Sequence, residues 1–335
     1  MASDLLSSVR SQPTATTTLV RALASGHVHH AYLFDGPDGV GKERTAFGLA
    51  QALVCERRAP GIAQACGGCS ACIRAIPIDG ERTPAHPDVI VLERGLYDPA
   101  VFGRRTPETQ DLSVDQVREL VLKRAEFTPH EGRARVFIVR RAEELSISAS
   151  NALLKTLEEP RPQTHFILMT ATIHNLLPTI RSRTERVRFG PLPDEVICEL
   201  LGERGLQPAD AARIARVAGG SMSVALAMAD PRKSEEEGQF VAKAMEALRS
   251  PGLEAALELA ELAKKSEKAK SIANIEAFAA ALAMTAKEIL LDSGQDAYVA
   301  ASRHSVALST LRDIDANASI PLAIEAMCIK MRAMG

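Results

Sequence analysis

Gly36-Pro37-Asp38-Gly39-Val40-Gly41-Lys42 has the Gly-x-x-x-x-Gly-Lys spacing of a phosphate-binding loop. Gly36, Gly39 and Gly41 let successive backbone N–H groups turn inward around phosphate oxygens. Lys42 adds a positive charge at the start of the following helix. Metal-assisted phosphoryl transfer also needs Ser or Thr after that Lys, because a hydroxyl there holds Mg²⁺ beside the phosphates. Here the residue is Glu43. Thr45, two positions on, faces another side of a helix and is no substitute. A second requirement is a pair of carboxylates ending a later strand, one for Mg²⁺ and one for the attacking water. The candidate strand, Val136-Phe137-Ile138-Val139, ends instead in Arg140-Arg141, with Glu143 and Glu144 following in a turn. The chain is therefore not expected to hydrolyse ATP at its own site. ATP or ADP binding without hydrolysis stays open. The reversed charges suggest that Glu43 pairs with Arg140 and Arg141 where the metal would lie.

The second chemical cluster is Cys66-Gly67-Gly68-Cys69-Ser70-Ala71-Cys72, with Cys55 upstream at the end of the helix that follows the loop. Four thiolates satisfy a tetrahedral Zn²⁺, and two-residue spacers with Gly let adjacent cysteines face one ion. Four sulfurs with no open position make a structural site. An iron–sulfur cluster and bare thiols are the alternatives. Cys198 and Cys328 stand alone and read as small buried hydrophobes.

Elements must position these groups. Ala31–Phe34, Asp88–Leu92, Arg135–Val139 and His165–Met169 are short, continuously apolar runs alternating with helical patterns. Such runs read as strands buried on both faces of a parallel sheet. After residue 190 the strand runs vanish and Ala-rich segments take a helical period, as in Phe240–Leu248, Leu253–Lys264 and Ile275–Leu291. Gly190-Pro191-Leu192-Pro193 and Asp230-Pro231 are chain breaks. We expect an α/β domain over 1–190, a small helical domain over 191–232 and a helical domain over 233–335. The polar stretch Glu93–Asp111 reads as a surface loop.

Composition narrows the function. Of 335 residues, 40 are Lys or Arg and 42 are Asp or Glu, a formal net charge of −2, so the chain is no generic polyanion binder. With no Trp and only three Tyr it offers few stacking platforms for single-stranded nucleic acid. Arg133, Arg135, Arg140, Arg141, Lys155 and Arg161 could touch DNA phosphates, but the acids among them read equally as a solvated mixed surface. Six cysteines are too sparse for a disulfide scaffold. No apolar run approaches the roughly 18 residues that cross a bilayer, and a cytoplasmic, reducing location is expected.

Together, the phosphate loop, the cysteine knuckle, the phrase Asn151-Ala152-Leu153-Leu154-Lys155-Thr156-Leu157-Glu158-Glu159-Pro160 and the pair Ser182-Arg183 resemble the clamp-loader branch of the AAA+ proteins. His29-His30-Ala31-Tyr32-Leu33-Phe34 and His86-Pro87-Asp88 fit the same pattern, over about residues 10–230. The resemblance implies an AAA+ core, a small helical lid and a C-terminal collar. It further implies an arginine finger at Arg183, next to Ser182, acting in trans on a neighbour's ATP. Implied partners are gamma/tau-like motor subunits, a delta-like clamp-opening subunit, the sliding clamp and primed DNA, with no membrane. Three elements of hydrolysis in cis are absent, including a nucleotide-sensing Arg whose place Ser223 takes. That pattern implies a non-hydrolysing, stator-like subunit within a DNA polymerase holoenzyme. Thr184 departs from the Cys usual after Ser-Arg. The competing readings are an active motor subunit of the same assembly, a stand-alone nucleotide kinase with a zinc lid, and a DNA-binding zinc protein.

Overall fold

The computed structural model describes residues 4–78, 80–102, 111–131, 133–229, 231–249, 254–264, 271–272, 274–279, 281–282, 297–315 and 318–334. Most of the helix expected over 275–291, and residues 103–110 of the expected surface loop, lie outside them.

Among the described residues five strands form one parallel sheet: β1 (Ala31–Asp35), β2 (Val89–Leu92), β3 (Arg135–Val139), β4 (Thr164–Thr170) and β5 (Glu185–Arg188). Their order is β2-β3-β4-β1-β5. Register pairs Leu33 with Leu168, Phe137 with Phe166, and Ile90 with Phe137. Successive side chains alternate between two apolar layers, which is why the strands read as unbroken hydrophobic runs. Phe34, Val91, Ile138 and Ile167 meet helices α1 (Pro13–Ser25) and α2 (Lys42–Val54) through Leu19, Leu23 and Leu49. Leu33, Ile90, Phe137 and Phe166 lie in the opposite layer with Val117, Leu153 and Leu157. The rings of Phe137 and Phe166 stack at 5.1 Å between centroids.

Helix α3 (Ser70–Arg74) closes the cysteine segment. A helical run then passes from α4 (Val114–Val117) through a π turn at Arg118–Leu122 into α5 (Lys123–Ala125). Its start is fixed by a capping box, with the Ser113 hydroxyl accepting from the Gln116 N–H and the Gln116 amide accepting from the Ser113 N–H. Helix α6 (Ile147–Glu158) is capped by Ser146, whose hydroxyl accepts from the Ala149 N–H, and α7 (Pro178–Arg181) begins on a proline. β5 is a sheet edge on which Val187 alone is buried, which explains its weak hydrophobic signature in the sequence.

The chain divides into two compact units, one of residues 1–200 with 219–223 and one of residues 201–218 with 224–335. The described parts of the second unit are helical, including Pro208–Val217, Pro231–Arg249, Glu254–Lys264, Ala297–Asp315 and Ile320–Arg332. Its apolar core gathers Phe240, Leu259, Phe278, Ile314, Ile324 and Met331. Among the described residues no helix is long and apolar enough to cross a membrane.

Candidate functional site

The phosphate loop joins the end of β1 to the start of α2, at the carboxyl ends of the parallel strands, where such sheets bind ligands. Gly36 lies so close to Phe189 that an added Cβ would sit 2.3 Å from its carbonyl oxygen. Gly39, at φ +75°, would place a Cβ 2.4 Å from the hydroxyls of both Ser221 and Ser223. Residues 219–223 are pinned there by a hydrogen bond from the Met222 N–H to the Gly39 carbonyl (2.9 Å).

The loop's own groups satisfy its lysine. The Lys42 ammonium is 7% exposed and donates to the carbonyls of Gly36 and Pro37 (2.9 Å for the latter), with Asp38 at 3.4 Å. Burial lowers its pKa, and the Asp38 carboxylate opposes that shift. Thr45 is buried and donates to the Gly41 carbonyl, so it does not replace the missing metal-binding hydroxyl.

At the end of β3, Arg140 reaches back to the loop helix. It forms an ion pair with Glu43 and donates to Glu93 at 2.7 Å, and its guanidinium lies 5.7 Å over the Phe47 ring. The pairing expected between Glu43 and Arg140 is present. Arg141 differs: it adopts φ +50° and turns to Asp38 (3.6 Å) and Glu144 (3.5 Å). A guanidinium therefore stands where phosphoryl-transfer chemistry needs a carboxylate beside Mg²⁺.

The four cysteines converge. The sulfurs of Cys55, Cys66, Cys69 and Cys72 all lie within 4.8 Å of one another, and Cys66 and Cys72 are 3.9 Å apart. Zn–S bonds of ~2.3 Å in a tetrahedron require S···S edges of about 3.8 Å, so the donor set fits such an ion. Burial acts to raise the Cys66 thiol, but the N–H groups of Gly68 and Cys69 and the neighbouring thiols bring it down to about 6. Burial and those same thiols push Cys72 far up. Four thiolates in one pocket repel unless a cation sits among them. Gln51, fully buried, braces the cluster: its amide donates to the Cys72 carbonyl (3.3 Å) and accepts from the Leu5 N–H (3.0 Å). Cys328 is buried as expected, whereas Cys198 is only half-buried.

A charged chain links the cysteine module to the lower edge of the sheet. Arg74, two residues beyond Cys72, donates to both oxygens of Glu131 at 2.7 Å. Glu131 also faces buried His86 at 3.1 Å. Its N–H and that of His130 donate to Asp88, which is 0% exposed. Arg135 completes the set, donating to Asp88 at 2.8 and 3.1 Å and to the carbonyls of Arg124, Phe127 and Thr128. Burial would raise the Asp88 carboxyl, yet those N–H donors and Arg135 hold it below the usual carboxylate range. Burial lowers the His86 imidazole, which accepts from the Asp88 N–H through Nδ1.

Arg135 therefore lies inside the protein and cannot serve as the surface cation weighed in the sequence. Arg133 donates to the carbonyls of Glu56 and Arg58. With Arg140 and Arg141 also paired to acids of this chain, four of the six candidate phosphate-contact residues are held by its own groups. Sequence reasoning also missed Gln12. Its buried amide donates to the carbonyls of Val40 (3.2 Å) and Gly190 (2.7 Å) and accepts from the Gly190 N–H, which ties the phosphate loop to the chain break at 190. A polar residue just ahead of a Pro-initiated helix is the only trace of this role in the sequence.

Ser182 caps the end of α7, its hydroxyl donating to the Thr179 carbonyl at 3.1 Å. Arg183 follows it and borders an open cleft of about 450 Å³ with His29, His30, Glu158 and Glu185.

The parallel sheet, the phosphate loop after β1 and the cysteine module define an AAA+-type P-loop domain followed by a helical region. Residues 11–193 match the family model described as DNA polymerase III, delta subunit. The chain is 36% identical over 225 residues to the gamma/tau subunit of DNA polymerase III from Mycobacterium tuberculosis, covering 65% of this chain and 35% of that protein. It is 39% identical over 166 residues to the delta' subunit from Pseudomonas aeruginosa, covering 49% of this chain and 44% of that one. The fold is also that of a gamma subunit-related protein from Thermotoga maritima, with a TM-score of 0.50 at 17% identity over 95% of this chain and 98% of that one. The chain belongs to the DNA polymerase III clamp-loader subunit family. It spans about a third of the length of the gamma/tau relative, 35%.

Proposed function

We propose that this chain is the delta-prime-type subunit of a DNA polymerase III clamp loader. It runs no ATP cycle of its own and donates Arg183 in trans to a neighbouring ATPase subunit. The observation that best supports this reading is the Glu43–Arg140 pair, which puts a cation where hydrolysis needs an anion. Lys42, held by the loop's own carbonyls, supports it as well. In this reading residues 1–190 are the AAA+ domain, 191–232 the lid and 233–335 the collar. The partners are gamma/tau-like motor subunits and a delta-like clamp opener, with the sliding clamp and primed DNA met through the assembly.

The 36% identity to a gamma/tau subunit favours a motor role as the second reading. The two readings predict different results. In ours, the purified chain with Mg²⁺ and ATP shows no turnover, and adding it to gamma/tau-like and delta-like subunits restores DNA-stimulated hydrolysis. Turnover by the isolated chain that Lys42→Ala abolishes would establish the motor reading instead.

Zinc is the metal this reading assigns to Cys55, Cys66, Cys69 and Cys72. It would neutralise the crowded thiolates and tie the helix end to the following loop. Metal analysis is expected to find about one zinc per chain. Chelation should lower the unfolding temperature and open the segment from Cys55 to Arg74 to protease. A folded, metal-free protein that resists chelator unchanged would refute the assignment.

A further inference from the structure

We propose that Glu158 is the positioning residue for Arg183, an inference that rests on the trans-acting role given to Arg183 above. The Arg183 Nε donates to Glu158 Oε1 at 2.7 Å, and Nη2 pairs with the same oxygen. Nη1 donates to the Thr179 carbonyl (2.9 Å) and the Ser182 hydroxyl (3.3 Å). The guanidinium is thus held along its inner edge from two sides. It remains 31% exposed, and with both N–H groups of Nη1 engaged, the outward N–H of Nη2 is left for an anion on another chain.

The placement of Glu158 has a reason. It is the last residue of α6, where the helix dipole disfavours a carboxylate. An anion there needs a cation, and Arg183 supplies it. The end of the helix is itself fixed: Leu157 is buried in the core, and its carbonyl bonds to His30 Nε2 at 2.9 Å. The phrase Asn151–Pro160, otherwise unused by the site, thereby plants a carboxylate under the guanidinium.

Magnitude decides between a lock and a support. Glu158 is 47% exposed, and an ion pair between such residues shifts a two-state population by no more than about five-fold. That is too weak to hold Arg183 away from a phosphate, whose bidentate pull on a guanidinium is stronger. It is sufficient to restrict a flexible side chain whose fork must meet its target in one orientation.

The test uses the assembled loader with Glu158→Ala, Glu158→Gln, Arg183→Ala and the double variant. Glu158→Ala is expected to lower DNA-stimulated turnover at the ATP site facing Arg183 by about three- to ten-fold, less than Arg183→Ala does, with KM for ATP unchanged. Glu158→Gln keeps an acceptor oxygen and should recover at least half of the loss. In the Arg183→Ala background, Glu158→Ala should add nothing. Wild-type kcat in Glu158→Ala alongside an impaired Arg183→Ala would overturn the positioning role alone. So would a raised kcat or multiplying effects. Wild-type turnover in Arg183→Ala would remove the trans-acting reading and this inference with it.

Discussion

Arg183→Ala is expected to cut turnover at the ATP site facing it by a factor of roughly 10³ or more, the range for removal of an arginine finger. The side chain is well suited to this effect. Its fork is held by Glu158 and Thr179 and is partly exposed. Assembly should survive, because the hydrogen-bond partners given for Arg183, namely Glu158, Thr179 and Ser182, belong to its own chain. Measured in the reconstituted complex, total hydrolysis should fall by the share of that single site while the complex elutes at its normal size. Lys at the position should restore little, since a point charge cannot reproduce the planar fork. Full hydrolysis in the variant complex would remove the trans role.

Arg135→Ala should be the most damaging substitution for folding, at about 3–5 kcal/mol. Asp88 would be left at zero exposure with two backbone N–H donors and no countercharge, and the carbonyls of Phe127 and Thr128 would lose the Arg135 donor. At ~2–4 °C per kcal/mol for a domain of this size, the unfolding temperature should drop by roughly 6–20 °C. Removing Asp88 as well should recover part of the loss, because no charge is then stranded. The pH dependence follows from the depressed Asp88 carboxyl. Its contribution is complete above the ordinary carboxylate range and is lost as pH falls through the lower folded value, so acid should weaken the wild type at this site. Thermal unfolding across pH checks both statements. A loss below about 1 kcal/mol for the single variant would show that the network does not carry the lower edge of the sheet.

The sheet, the phosphate loop and the cysteine cluster were legible because each rests on local pattern. Continuous apolar runs marked strands buried on both sides, and glycine and cysteine spacing marked the two sites. The pairing of Glu43 with Arg140 was legible as well, because both charges departed from the pattern in compensating directions. Contacts between segments distant in sequence were hidden. Arg135 opens a strand and looks like any exposed cation until Asp88, 47 positions earlier, is found beside it. Gln51 gave no signal and Gln12 only its place before a proline, since an isolated amide says nothing about which carbonyls it will meet. Arg183 was found by resemblance, and its partner Glu158 only by geometry, although Glu158 belongs to the most distinctive phrase in the chain.

The edge strand β5 bears on how this protein behaves at high concentration. Glu185, Arg186 and Arg188 are exposed along it, and Val187 is its one buried side chain. A strand edge lined with charges of both signs makes a poor template for a strand from another molecule, because any added strand must bury or oppose them. Among the described residues the sheet order ends at β5. Copies crowded together during synthesis or refolding have little incentive to extend one another's sheets into ribbons.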